Sequence, residues 1–374
     1  MTVFGTRPDT IKMAPVVEAL EAAQPAIESI VCVSAQHRQM LDELLALFRI
    51  APDFDLDIMQ EGQTLTQITA RVLERLSIVL EDAQPDVVLV HGDTSTSTAA
   101  ALAAFYHKIP VGHVEAGLRT SDRYEPFPEE INRRMTGVLA SYHFAPTRIA
   151  KGNLMHEAIV PEDIIVTGNT VIDAFLKTAR DVGAVRPPQW KDLDPSRPVI
   201  FVTAHRRENH GAMRKIAQAM KDITQLPQRP QIVWPVHPSP HVGPVIRAAL
   251  TNVAGIVLTD PINYADLVAN VRGCAFVLTD SGGLQEEAPC LGKPVLVMRD
   301  VTERPEGLHA GTLELVGTDH DRILGAAARL LSDRAAYDKM ARASNPYGDG
   351  RASERIAQWL LARLRGGAYP GEFA

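Results

Sequence analysis

Short runs of valine, isoleucine and leucine recur along the chain, and most end on a polar residue that opens a helix-like segment. The runs are apolar throughout rather than alternating, as in strands of a parallel sheet covered on both faces. In the first half they span residues 2–5, 27–35, 86–92, 111–115, 142–145 and 164–168. Helical patterns lie between them at 8–22, 64–80 and 94–107. Strand and helix alternating across short links predict right-handed crossovers and a doubly wound α/β sheet. The stretch GAVRPPQWKDLDPSRP, residues 183–198, breaks this pattern and reads as a linker. Alternation restarts at VIFVTAH (199–205) and continues through QIVWPVH (231–237), GIVLTD (255–260), CAFVLTD (274–280) and PVLVMR (294–299). The expectation is two Rossmann-like domains, the first over 1–182 and the second over 183–349, which 374 residues readily accommodate. An amphipathic helix over 352–364 follows a chain reversal at NPYGDG.

A net charge of −7 argues against a nucleic-acid binder. The cysteines, Cys32, Cys274 and Cys290, are odd in number and far apart, which suits reduced thiols in a cytoplasm rather than a disulfide framework. No apolar run approaches the roughly 20 residues of a membrane span, and no secretion leader opens the chain. The expected location is therefore cytoplasmic.

Ligands of open parallel sheets bind beyond the carboxyl ends of the strands, so the polar residues there carry the functional signal. After the first run, GTRPDTIKM places Arg7 and Lys12 near a helix N-terminus, against the helix dipole, where an arriving anion would suit them. HGDTSTST and GHVEAGLRT each put an acid two residues after a histidine: Asp93 after His91, Glu115 after His113. These suit proton transfer, although Asp93 or Thr94 also suits a helix N-cap, and all four His and acid side chains are metal-ligand types. In PFPEEINRR, Glu129 and Glu130 fall in a first helical turn, and Arg133 one turn on is placed to pair with Glu129. In the second half, TAHRREN clusters His205, Arg206 and Arg207 at a strand end, a poor structural cluster and a good anion site. LTDSGGLQEEAP offers the bare amides of Ser281, Gly282 and Gly283 to a phosphate, with Glu287 one turn along for ribose hydroxyls. Arg304 follows in a nearby loop, and neither a Walker loop nor a G-x-G-x-x-G fingerprint occurs, so ATP and NAD signals are absent.

These motifs, with AQHRQMLD, PDVVLVHGDT, TGNTVIDA, GKPVLVMRDVTERPE and NPYGDG, run in order along nearly the whole chain. They resemble those of the non-hydrolysing UDP-N-acetylglucosamine 2-epimerases. The resemblance implies a GT-B arrangement of two Rossmann-like domains with an active-site cleft between them, and a C-terminal helix, about 350–374, crossing back onto the first domain. It implies reversible conversion of UDP-N-acetylglucosamine to UDP-N-acetylmannosamine without metal or other cofactor. By that resemblance Asp93, Glu115 and Glu129 match catalytic carboxylates and His205 the active-site histidine. Arg7, Lys12, Ser281, Gly282, Gly283, Glu287 and Arg304 match nucleotide-sugar contacts. Gln36, His37, Gln39, Arg206 and His237 match a site where some members bind a second substrate molecule as activator. Two departures stand out: Ile262 and Leu267 replace residues often found near the uracil, and Gly62 replaces an arginine of the activator site. The resemblance also implies a homodimer. A hydrolysing epimerase, a GT-B glycosyltransferase and a catalytically silent sugar-nucleotide sensor are the competing readings.

Overall fold

A computed structural model describes residues 1–36, 38–120 and 122–373. The chain forms two compact units, Met1–Ala174 with Gly348–Ala374, and Phe175–Tyr347. Among the described residues the first holds seven strands: β1 (Thr2–Phe4), β2 (Val31–Val33), β3 (Phe54–Asp55), β4 (Val88–His91), β5 (Val111–Val114), β6 (Tyr142–Ala145) and β7 (Ile164–Val166). They form one sheet in the order β3-β2-β1-β4-β5-β6-β7, and every pairing is parallel. The second unit holds β8 (Val199–Thr203), β9 (Gln231–Pro235), β10 (Ile256–Thr259), β11 (Phe276–Thr279), β12 (Val295–Val297) and β13 (Leu313–Leu315). Their order is β10-β9-β8-β11-β12-β13, again all parallel. Both orders reverse direction once, between β1 and β4 and between β8 and β11. In a doubly wound sheet that reversal opens the crevice in which ligands sit.

The helices of the first unit are α1 (Arg7–Glu21), α2 (Arg38–Phe48), α3 (Leu65–Ala83), α4 (Ser95–Tyr106), α5 (Glu129–Leu139) and α6 (Arg148–His156), and α7 (Thr170–Asp181) begins in it. Local sequence sets their ends. Thr64 and Gln67 form a capping box at α3, and Thr94 Oγ1 accepts from Ser97 N at 3.2 Å to cap α4. The alanines of α4 are buried on nearly all sides, because small side chains let it pack closely among its neighbours. The C-terminal helix Ala352–Arg365 packs on the first unit. Its Ile356, Trp359 and Leu360 join Phe4, Val17, Leu20 and Phe144 in one core, with Trp359 edge-on to Phe144 at 5.5 Å between centroids. The second unit has its own core around Trp234, Phe276, Met213 and Met298.

The units divide within α7, ahead of the boundary expected at 182. Phe175 packs against Tyr264 at 6.3 Å between ring centroids, and the Arg272 guanidinium donates to Ala179 O, so the second half of α7 belongs with the second sheet. Nor is the stretch 183–198 a loose tether. Trp190 Nε1 donates to Asn270 Oδ1 at 2.7 Å, and Arg186 holds the carbonyls of Trp190 and Leu193.

Candidate active site

In the first unit, the loops leaving β1, β4 and β5 meet at the reversal point. The turn after β1 approaches β2 so closely that a Cβ on Gly5 would lie 1.7 Å from Ser34 Oγ. Only glycine fits there. Asp9 then closes the turn: its buried carboxylate accepts from Thr6 N at 2.7 Å and Gly5 N at 3.2 Å. Burial nevertheless raises its pKa, with those donors opposing. This anchors α1 and presents Lys12, whose ammonium pairs with Glu115 Oε2.

Glu115 follows β5 with φ +62°, a left-handed conformation that costs a non-glycine residue of order 1–3 kcal/mol. Asn169 Nδ2 donates to the same Oε2 at 2.8 Å, and His91 Nε2 lies 3.7 Å from Oε1. Burial lowers the His91 pKa to about 4, so its imidazole is neutral at pH 7. Asp93, one turn beyond β4, is gripped by Arg133 of α5, with Nε 3.2 Å from Oδ2, and Asn132 Nδ2 donates to its carbonyl at 2.9 Å. Burial raises the Asp93 pKa, Arg133 opposes this, and the charge of Glu115 adds to it. Two neighbouring carboxylates coupled in this way are the usual raw material of acid–base chemistry.

Beneath them lies a row of buried histidines on adjacent strands. His113 pairs in register with His143 of β6, and its Nε2 bonds Gly92 O at 2.7 Å. Burial lowers them to about 3 and about 4, respectively. Although His91, Asp93, His113 and Glu115 are ligand types, no group of three or more His, Cys, Asp or Glu suited to a metal occurs among the described residues.

The second unit repeats the arrangement with other chemistry. Asp280, wholly buried after β11, bridges the reversal point by accepting from His205 N at 2.9 Å and Arg206 N at 2.9 Å. Asn209 Nδ2 donates to it at 3.0 Å. The His205 ring stacks on His237, 5.5 Å between centroids, with Nδ1 3.4 Å from Asp280 Oδ1. Burial lowers the His205 pKa, Asp280 raises it, and the first effect wins. A Cβ on Gly282 would lie 3.3 Å from an Arg206 terminal nitrogen and 3.9 Å from one of Arg304, so both guanidinia converge on the Ser281–Gly283 turn. Arg304 is itself anchored by Glu286, and its carbonyl accepts from the buried Tyr347 hydroxyl at 3.0 Å. Two cavities lie elsewhere. One, of about 480 Å³, lies against residues at the amino ends of β1 and β4. Neither this cavity nor the other, beside Arg180 and Lys293, touches these residues.

A family model described as UDP-N-acetylglucosamine 2-epimerase matches residues 18–361. A UDP-N-acetylglucosamine 2-epimerase of Salmonella typhimurium is 54% identical over 367 residues, covering 96% of this chain and 97% of that protein. The chain belongs to the UDP-N-acetylglucosamine 2-epimerase family. A crystal structure of the Neisseria meningitidis family member bound to UDP-GlcNAc is 47% identical, with a TM-score of 0.86 over 96% of this chain and 98% of that one. The glycosyltransferase SnogD of Streptomyces nogalater, 17% identical with a TM-score of 0.62 over 97% and 98%, shares the fold alone, which is of GT-B type.

The structure brings together Lys12, Asp93 and Glu115 in the first unit, and His205, Arg206, His237, Gly282 and Arg304 in the second. One expectation needs correction and the other site residues need placing. Arg133 does not pair with Glu129: it reaches Asp93 and, at 3.4 Å, Glu130. The reason is that Glu130 turns inward, wholly buried, and accepts from Arg134 Nε at 2.7 Å and Thr120 N at 3.0 Å, while Glu129 starts α5 half-exposed. Lys12 holds Glu115. Ser281 makes no side-chain cap, and its N donates to Thr279 Oγ1 at 2.9 Å. Glu287 is buried beside Gly283. Arg7 is the first residue of α1. Gln36 Oε1 accepts from Thr96 Oγ1 at 2.9 Å, Gln39 is exposed on α2, and His37 lies outside the described residues. Sequence reasoning missed Asn169 and Asp280 as partners of the site and paired Arg133 with Glu129 rather than Asp93. The polar ends of TGNT and LTDS were the available signal.

Proposed function

We propose that the protein is a non-hydrolysing epimerase interconverting UDP-N-acetylglucosamine and UDP-N-acetylmannosamine. The C2 proton is taken by a carboxylate as the C1–O bond to UDP breaks, leaving 2-acetamidoglucal. Protonation of C2 from the other face and return of UDP to C1 complete the exchange. That C2 proton is not next to a carbonyl, so departure of the diphosphate must supply the driving force. Arg206, Arg304 and the Ser281–Gly283 turn are assigned to the diphosphate, with neutral His205 assisting its departure, and Glu287 to the ribose. Asp93, Glu115 and Glu129 are assigned to proton transfer, and Arg7 to the substrate's anionic part. The reading requires both sets of residues to engage one substrate molecule.

The observation that carries it is the carboxylate pair at the β4 and β5 ends: Glu115 held in a strained backbone by Lys12 and Asn169, beside Asp93 held by Arg133. A simple transferase needs one base, and a silent sensor needs none. A homodimer in the cytoplasm goes with this reading, as does activation by a second UDP-N-acetylglucosamine at Gln36, His37, Gln39, Arg206 and His237. Hyperbolic turnover of pure UDP-N-acetylmannosamine would remove the activator. The test of the reaction is proton NMR with UDP-N-acetylglucosamine in heavy water. UDP-N-acetylmannosamine carrying deuterium at C2 is expected. Accumulation of free N-acetylmannosamine and UDP would instead make the enzyme hydrolysing, and no exchange at all would sink the proposal.

A further inference from the structure

Asn169 begins the turn into α7, and its side chain faces two ways. Its Oδ1 accepts from Val171 N at 3.2 Å, as a capping oxygen does, while its Nδ2 donates to Glu115 Oε2 at 2.8 Å. The residue is buried, 3% exposed. For the helix alone, aspartate or serine caps as well as asparagine. Asparagine differs in carrying an acceptor and a donor on one short amide. Aspartate here would set a second carboxylate against Glu115. The choice of residue at 169 is therefore dictated by Glu115 and not by α7.

Glu115 needs such a partner. Its backbone is left-handed, φ +62°, just past the end of β5, so its direction is not set by the strand. Two donors from different elements, Lys12 of α1 and Asn169 before α7, engage the same oxygen, Oε2. The other oxygen lies on the side of His91 of β4. Asp93 after β4, with Arg133 of α5 upon it, is a further charged group acting on this carboxylate.

We propose that Asn169 is a positioning residue for proton transfer: by anchoring Oε2 it sets the direction in which Oε1 meets the C2–H bond. This rests on the reading that Glu115 moves a proton, so Glu115→Gln is measured alongside. Asn169→Asp keeps the cap and removes the donor while its carboxyl is ionised. The like charge of Glu115 raises the pKa of that new carboxyl, with Lys12 opposing. Once protonated, it donates as the amide did. We expect Asn169→Asp to fold at pH 8 with a lowered melting temperature, because its ionised carboxylate then lies buried against Glu115, to lose about 10²-fold in kcat with KM nearly unchanged, and to recover toward wild type in both as pH falls toward about 5.5. Asn169→Ser, a cap without a reaching donor, should lose kcat with no such recovery. A variant-to-wild-type ratio that stays near one, or that is low but independent of pH for both variants, overturns the proposal. An active Glu115→Gln removes the reading beneath it, whereas inactive Glu115→Gln with fully active Asn169→Asp removes this inference alone.

Discussion

The carboxylates at the ends of β4 and β5 differ in their restraints. Glu115 is fixed through one oxygen by two donors, Asp93 by a guanidinium, and Glu129 stands at the start of α5 with a half-exposed side chain. If all three act on the sugar, neutralising any of them should lower turnover without loosening the nucleotide. Asp93→Asn, Glu115→Gln and Glu129→Gln are each expected to cut kcat by about 10² or more while UDP affinity, measured by calorimetry, stays within a few-fold. Wild-type turnover in one of them would remove that residue from the chemistry. The acids themselves were legible in the sequence, because an acid ending an apolar run is conspicuous. Their partners were not. Asn169 lies 54 residues from Glu115 and Asp280 lies 74 from Arg206, separations that only the sheet order closes.

At the level of elements, the long apolar runs announced their strands, and β6 matches its expected span at both ends. β3 and β13 did not show, since strands of two or three residues at a sheet edge need no apolar run of their own. The histidine row across β4, β5 and β6 has a thermodynamic consequence that can be measured. Burial keeps His143 neutral down to about pH 4, whereas an unfolded histidine titrates near 6.5. Between those values the unfolded chain binds a proton that the folded chain does not, so this contribution to stability falls as pH falls, by about 1.4 kcal/mol per pH unit. Asp9 and Asp93, raised by burial, act in the opposite direction, but they do so equally in a His143 variant. His143→Gln should therefore lose about 2 kcal/mol less than wild type between pH 7 and pH 5 in urea unfolding. Equal losses in the two proteins would mean that the ring is protonated in the folded state.

For the whole molecule, the important fact is that two sheets sharing the same winding over six strands, the first with a seventh, carry different chemistry at their reversal points: the Asp93–Glu115 pair in one, and Arg206 and Arg304 around Gly282 in the other. Each unit has its own core, so each should respond separately to what binds it. The tryptophans report this without labels: Trp190 and Trp234 lie in the second unit, and Trp359 lies in the first. Trp359→Phe retains an aromatic ring against Phe144 and leaves fluorescence that follows only the second unit. If Arg206, Arg304 and the Ser281–Gly283 turn hold the diphosphate, UDP at about 100 times its Kd should stabilise that fluorescence transition by about 2.7 kcal/mol. Adding Arg304→Ala should abolish most of the gain, because the Gly282 amide then faces the diphosphate with Arg206 alone. A transition that UDP leaves unmoved would place the nucleotide's grip outside the second unit, and the carboxylate pair would then need a different leaving group.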